Sequence, residues 1–159
     1  MTLPVPTACR RTSVTTLYLD DFAPGQRFDL GTFTLTADEI VAFARAYDPQ
    51  PFHLSEEGGR ASPYGGLIAS GWHTCAVTMR RLVDGLLSRT PGMGSPGLDE
   101  LRWLGPVRPG ITYAVDLEVT QVRPSSSRPD RGAITARIEV KAPDGAVVMR
   151  WTSAIIIGR

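Results

Sequence analysis

From Trp72 onward the apolar residues Trp72, Cys75, Ala76, Met79, Leu82, Val83, Leu86 and Leu87 fall three and four positions apart, the spacing of one helical face. This predicts a helix from Gly71 to about Leu87, roughly 25 Å long at about 1.5 Å per residue. It is long enough to be the spine of a domain, and SRTPGMGSPG ends it. A shorter helix begins at Thr36, which with Glu39 forms a capping-box pair ahead of Ile40, Phe43, Ala44 and Tyr47. Pro49 stops it, because the residue before a proline is pushed out of helical geometry. Period two takes over later. Ile111, Tyr113, Val115, Leu117 and Val119 alternate with polar or small residues, as do Ile134, Ala136, Ile138 and Val140, and Asp144-Gly145 supply a hairpin turn before AVVMRWTSAIII.

Residues 17–34 read as strand and turn, with a reversal at Pro24-Gly25, and SSSRPDRG as an exposed loop between two strands. The glycine-rich stretch LSEEGGRASPYGGLIASG, 54–71, reads as mostly irregular, with a helical turn or two possible over Ser55 to Ala61. Long antiparallel strands after one long helix predict an α+β domain in which a single sheet packs on that helix. A chain of 159 residues suits one such domain. Residues 1–16, with no apolar run of signal-peptide length, are expected to be a loose leader before a domain at 17–159.

Charge narrows the partners. Seventeen Lys and Arg against sixteen Asp and Glu offer nothing to a polyanion or an acidic membrane, so neither nucleic acid nor membrane is expected. No segment has the apolar length of a membrane span. The two cysteines, Cys9 and Cys75, sit in unlike settings and form no disulfide framework, which fits a reducing cytoplasm.

Two stretches carry candidate chemistry. In YDPQPFH, 47–53, an acid and an imidazole lie five positions apart across two prolines, and no helix is expected over them. A turn Asp usually bonds its own backbone and a lone His is often a core residue. Pro49 and Pro51, however, fix two φ angles and give up two amide donors, a stiffness suited to aiming Asp48 and His53 at one point. The second stretch is SGWHT, 70–74, where Ser70 is an expected helix cap. Helix starts offer unpaired amides and a positive dipole end, and Gly71, lacking a side chain, can let a ligand oxygen reach its amide. His73 and Cys75 do not share a helix face, and no metal-ligand spacing, phosphate-binding glycine loop or GxSxG elbow is present. No metal is expected. Trp72, Trp103 and Trp151 read as core or interface packing, with an acyl-pocket wall as the lesser option.

FARAYDPQPFH, SPYGGLIASGWHT and RWLGPVRPG together resemble the MaoC-like dehydratases and R-specific enoyl-CoA hydratases of the hot-dog superfamily. Gln50 stands where that motif usually has Asn, and Ser70 where His is frequent. The resemblance implies an antiparallel sheet wrapped around the 71–87 helix, a homodimer with an acyl tunnel near the subunit interface, and reversible hydration of an enoyl thioester to the (R)-3-hydroxyacyl product. It implies Asp48 and His53 as catalytic residues, the Gly71 amide as the oxyanion hole and Ser70, Gly71 and Trp72 as substrate-binding. Coenzyme A would be the substrate carrier, with no bound cofactor, and Arg60, Arg128 and Arg131 are candidates for its phosphates. The alternatives within this architecture are a hot-dog thioesterase and a non-catalytic acyl-binding subunit.

Overall fold

The computed structural model describes residues 15–159, so nearly all of the expected leader, with Cys9, lies outside the described residues. Five strands, β1 (Arg27–Thr34), β2 (Leu98–Trp103), β3 (Thr112–Pro124), β4 (Arg131–Lys141) and β5 (Val147–Gly158), form one antiparallel sheet in the order β1-β3-β4-β5-β2. Its helices are α1 (Ala37–Tyr47), the short α2 (Pro51–Leu54) and α3 (Glu56–Arg60), and the long α4 (Gly71–Gly85).

Strand alternation becomes an apolar inner face through register. Phe28, Leu117, Ile138, Trp151 and Leu101 are successive cross-strand partners, a single row crossing all five strands. Leu117, Ile138 and Trp151 are buried, and each such side chain contributes about 1.5–3 kcal/mol by leaving water. One residue along, the outer row carries charge: Glu118 accepts from both Arg27 (2.9 Å) and Arg137 (2.8 Å). Between Asp29 and Thr32 the β1–β3 register slips at Gly31, whose φ of +83° suits a residue without Cβ.

Thr36 and Glu39 form the expected reciprocal cap of α1, and Asp48 ends the helix. One expectation is corrected here, and one strand lies beyond what the sequence predicts. A helical turn does form within the proline-rich segment, because Pro51 occupies the first helical position, where no amide donor is needed. The strand β2, hydrogen-bonded to β5, lies in text with no clear alternation.

The long helix is where it was expected, ending at Gly85, but it buries only part of the apolar face: Leu82 and, just beyond the helix, Leu86 are core, and Cys75 packs against it. His73, Thr74, Thr78 and Leu82 are buried, whereas Trp72, Met79 and Val83 are exposed. The threonines bury readily because their hydroxyls bond the helix's own carbonyls, Thr78 to Thr74 (2.7 Å) and Thr74 to Ser70 (3.3 Å). Of the three tryptophans expected as packing, Trp151 alone is core. No described helix is long and apolar enough to cross a membrane.

Candidate active site

Asp48 is held from three sides. Its amide closes α1 by donating to Ala44 O (2.9 Å), and its carbonyl accepts from the Gln50 amide (2.8 Å). Its carboxylate then takes the Gln50 side-chain amide on Oδ1 (2.8 Å) and the Ser70 hydroxyl on Oδ2 (2.6 Å). A carboxylate at the C-terminal end of a helix meets the negative end of the dipole, so these donors matter. The Ser70 hydrogen bond holds the Asp48 carboxyl below the usual Asp range, helped by Gln50 and His53 against the opposing effect of burial.

His53 lies on the α2 turn opposite, buried. Its Nδ1 is 2.8 Å from the Ile68 carbonyl and its Nε2 is 3.4 Å from Asp48 Oδ2. A carbonyl only accepts, so the proton of the neutral ring belongs on Nδ1 and Nε2 is left as an acceptor facing the carboxylate. The Ile68 carbonyl is itself fixed, since the Ile68 amide donates to Phe52 O (3.1 Å) and the Ala69 amide to Val107 O (2.8 Å).

Ser70 joins the carboxylate to the long helix. Fully buried, it caps α4 by accepting from the Trp72 amide (3.2 Å) while its own proton goes to Asp48. The hydroxyl therefore sits behind the carboxylate and is not part of the cleft wall. Among the described residues the Gly71 amide has no protein acceptor. A Cβ added at Gly71 would stand 2.6 Å from Trp103 Nε1: the indole of Trp103 covers one side of the helix tip, and Gly71 lines the cleft beside it.

Asp48, His53, Gly71 and Trp72 all open into one cleft of about 520 Å³. Phe52, Tyr64, Trp103, Val107 and Met149 complete its walls, with Gln50 at the carboxylate. No signal in the sequence singles out Tyr64, Val107 or Met149, because loop and strand positions far apart in the chain supply them, whereas Phe52 sits beside His53 on α2. His73 is directed elsewhere, stacked on Phe43 with ring centroids 4.4 Å apart. Burial lowers its pKa, opposed by attraction to Glu39. Burial likewise pushes the Cys75 thiol up to about 11, the opposite of an activated nucleophile. None of Arg60, Arg128 and Arg131 lines the cleft; Arg60 pairs with Glu56 (3.2 Å) and Arg131 with Asp130 (2.8 Å). No cluster of three His, Cys, Asp or Glu side chains suited to a metal ion occurs among the described residues.

A five-stranded antiparallel sheet of this order wrapped on one long helix defines a hot-dog domain, and an acid and an imidazole are gathered at the amino end of that helix. Residues 21–141 match the family described as MaoC like domain, and the chain belongs to that family. The MaoC-like dehydratase of Rhodospirillum rubrum superposes with a TM-score of 0.81 at 44% identity, over 90% of this chain and 97% of that one. A 3-hydroxybutyryl-CoA dehydratase of Methylorubrum extorquens is 30% identical over 70% of this chain and 69% of its own length. The uncharacterized protein YdeM of Bacillus subtilis is 25% identical over 89% of this chain and 99% of its own.

Proposed function

We propose that this protein is an (R)-specific hydro-lyase of acyl thioesters, adding water reversibly across the α,β double bond of an enoyl-CoA. The observation that carries this reading is the 3.4 Å approach of His53 Nε2 to Asp48 Oδ2, in a cleft that Gly71, first residue of α4, also lines. Two acceptors so placed are both satisfied by one shared donor, a water giving a proton to each. Water has a pKa near 15.7, and binding to both groups makes it a usable nucleophile.

As its oxygen bonds the β carbon, the π electrons move onto the thioester oxygen. One proton of the water passes to the Asp48–His53 pair, and the pair returns one to the α carbon. The negative oxygen needs a donor that is already in place. The Gly71 amide at the positive end of α4 would be that donor; elsewhere a single such donor is worth about 3–4 kcal/mol. A relative that dehydrates 3-hydroxybutyryl-CoA supports crotonyl-CoA, the corresponding enoyl thioester, as the first substrate to test. Hydration of crotonyl-CoA by the purified protein is the measurement, and release of free thiol without hydration would point instead to hydrolysis.

The pH profile tests the carboxylate. Because Asp48 must be ionised to accept a proton, kcat/KM should fall on the acid side as pH drops through its lowered pKa. Ser70→Ala removes the strongest of the lowering influences, so the acid limb should move to higher pH. Folding shifts in the same sense: a depressed carboxyl stabilises the fold above its unfolded pKa, and this is lost as pH falls through the folded value. The lost cap should cost about 1 kcal/mol in addition. An acid limb unchanged in Ser70→Ala would separate Asp48 from that profile.

We further propose a homodimer. The exposed Trp72, Met79 and Val83 make an apolar stripe along α4, next to the exposed Trp103, which ends the edge strand β2, and Leu104, which follows it. Such a continuous apolar face is characteristic of a surface covered by a partner. Sedimentation should give twice the chain mass, and Met79→Glu should shift the protein toward monomer; a monomeric wild type would remove the proposal.

A further inference from the structure

Trp103 is the last residue of an edge strand, and its indole is placed where a side chain at position 71 would be. It meets Trp72 edge-on, with ring centroids 5.3 Å apart, and its side chain reaches Cys75, one helical turn beyond Gly71. Its strand partner is Met149, whose sulfur lies 3.6 Å from the Cys75 thiol. The indole, about half exposed, thus stands in the slot between the amino end of α4 and β5, beside Cys75 and Met149. It lines the same cleft as Asp48 and His53.

We infer that Trp103 is the residue that limits acyl length: its indole closes the cleft along the underside of α4 and confines the site to short acyl groups. The inference rests on the acyl-thioester reading above. A thioester oxygen at the Gly71 amide has to approach from the side away from the indole. The acyl chain then lies in the cleft with the indole face as one wall, and an extended chain would have to occupy the slot the ring already fills. Removing the ring uncovers Cys75 beside Met149, which already lines the cleft, and enlarges an apolar surface that can take further methylenes.

The experiment compares kcat/KM for crotonyl-, hexenoyl- and octenoyl-CoA in wild type, Trp103→Ala and Trp103→Leu. Leu keeps apolar packing on Gly71 should the Ala variant fold poorly. Wild type should prefer crotonyl-CoA, and the octenoyl-to-crotonyl ratio should rise about tenfold or more in the variants, the scale on which a pocket discriminates added methylenes. A wild type that takes octenoyl-CoA as well as crotonyl-CoA overturns the inference, as does an unchanged ratio with all rates falling together. In parallel, calorimetry with butyryl- and octanoyl-CoA reads the same preference without turnover. If wild type hydrates nothing, the hydratase reading fails by itself. A variant gain in octanoyl-CoA affinity over butyryl-CoA would still support the role of Trp103, and its absence would overturn it.

Discussion

Asp48→Asn and His53→Ala should each lower kcat/KM for hydration of crotonyl-CoA by about two to four orders of magnitude, the usual cost of losing a positioned acid or base. Asn keeps the shape of the carboxylate and an oxygen for the Ser70 hydroxyl, but it cannot take a proton from water. His53→Ala removes the Nε2 acceptor together with the bond to Ile68 O. The two losses should not add in the double variant, because the groups act on one water. Circular dichroism of each variant separates chemistry from folding. A folded variant that keeps most of the wild-type rate excludes that residue from proton transfer, and the pair would then have to be read as a structural contact.

Gly59→Ala should cause the largest loss of stability from a single added methyl group. Gly59 is buried on α3, and a Cβ there would fall inside the backbone of Gly66 and Leu67 rather than against a side chain that could swing away. Backbone cannot repack as a side chain does, so the cost should reach or exceed the upper end of ordinary overpacking, about 3 kcal/mol. In a domain of this size that lowers the melting temperature by roughly 10 °C. Activity should fall with it, because the segment pushed aside continues into Ile68, whose carbonyl orients His53. Glu56, which accepts from the Leu67 amide (3.0 Å), anchors the same segment to α3. Gly92→Ala is the control: its nearest neighbour is 3.7 Å from the new methyl, ordinary contact at an unstrained position. Equal melting temperatures for the two variants would show that the α3 approach is looser than the structure has it.

How much of the site was legible depends on the range of each interaction. The stiff Asp48–His53 segment is local, and its prolines announced it. The cap at Ser70 is also local, but the direction of its proton is not: Ser70 and Asp48 are 22 residues apart, and His53 and Ile68 are 15 apart. The resemblance implies that Ser70 touches substrate, whereas the structure gives its hydroxyl to the carboxylate. The sequence suggests a glycine at 71 for the sake of a ligand, and the fold adds the indole of Trp103 as a second demand on the missing Cβ. No spacing rule connects positions 71 and 103; only the pairing of β2 with β5 brings them together.

By itself the sequence determined the elements whose stabilising contacts lie within a few residues of one another. These are the capping box of α1, the alternating faces of β3 and β4, the turn at Asp144-Gly145 and the extent of α4 to within two residues. Tertiary structure alone decided which face of α4 is buried. Its threonines satisfy their hydroxyls on the preceding turn and enter the core as if apolar, leaving Trp72, Met79 and Val83 outside. Periodicity records that a helix has an apolar side, but burial depends on what packs against it, and here that is set by strands up to about eighty residues away in the chain.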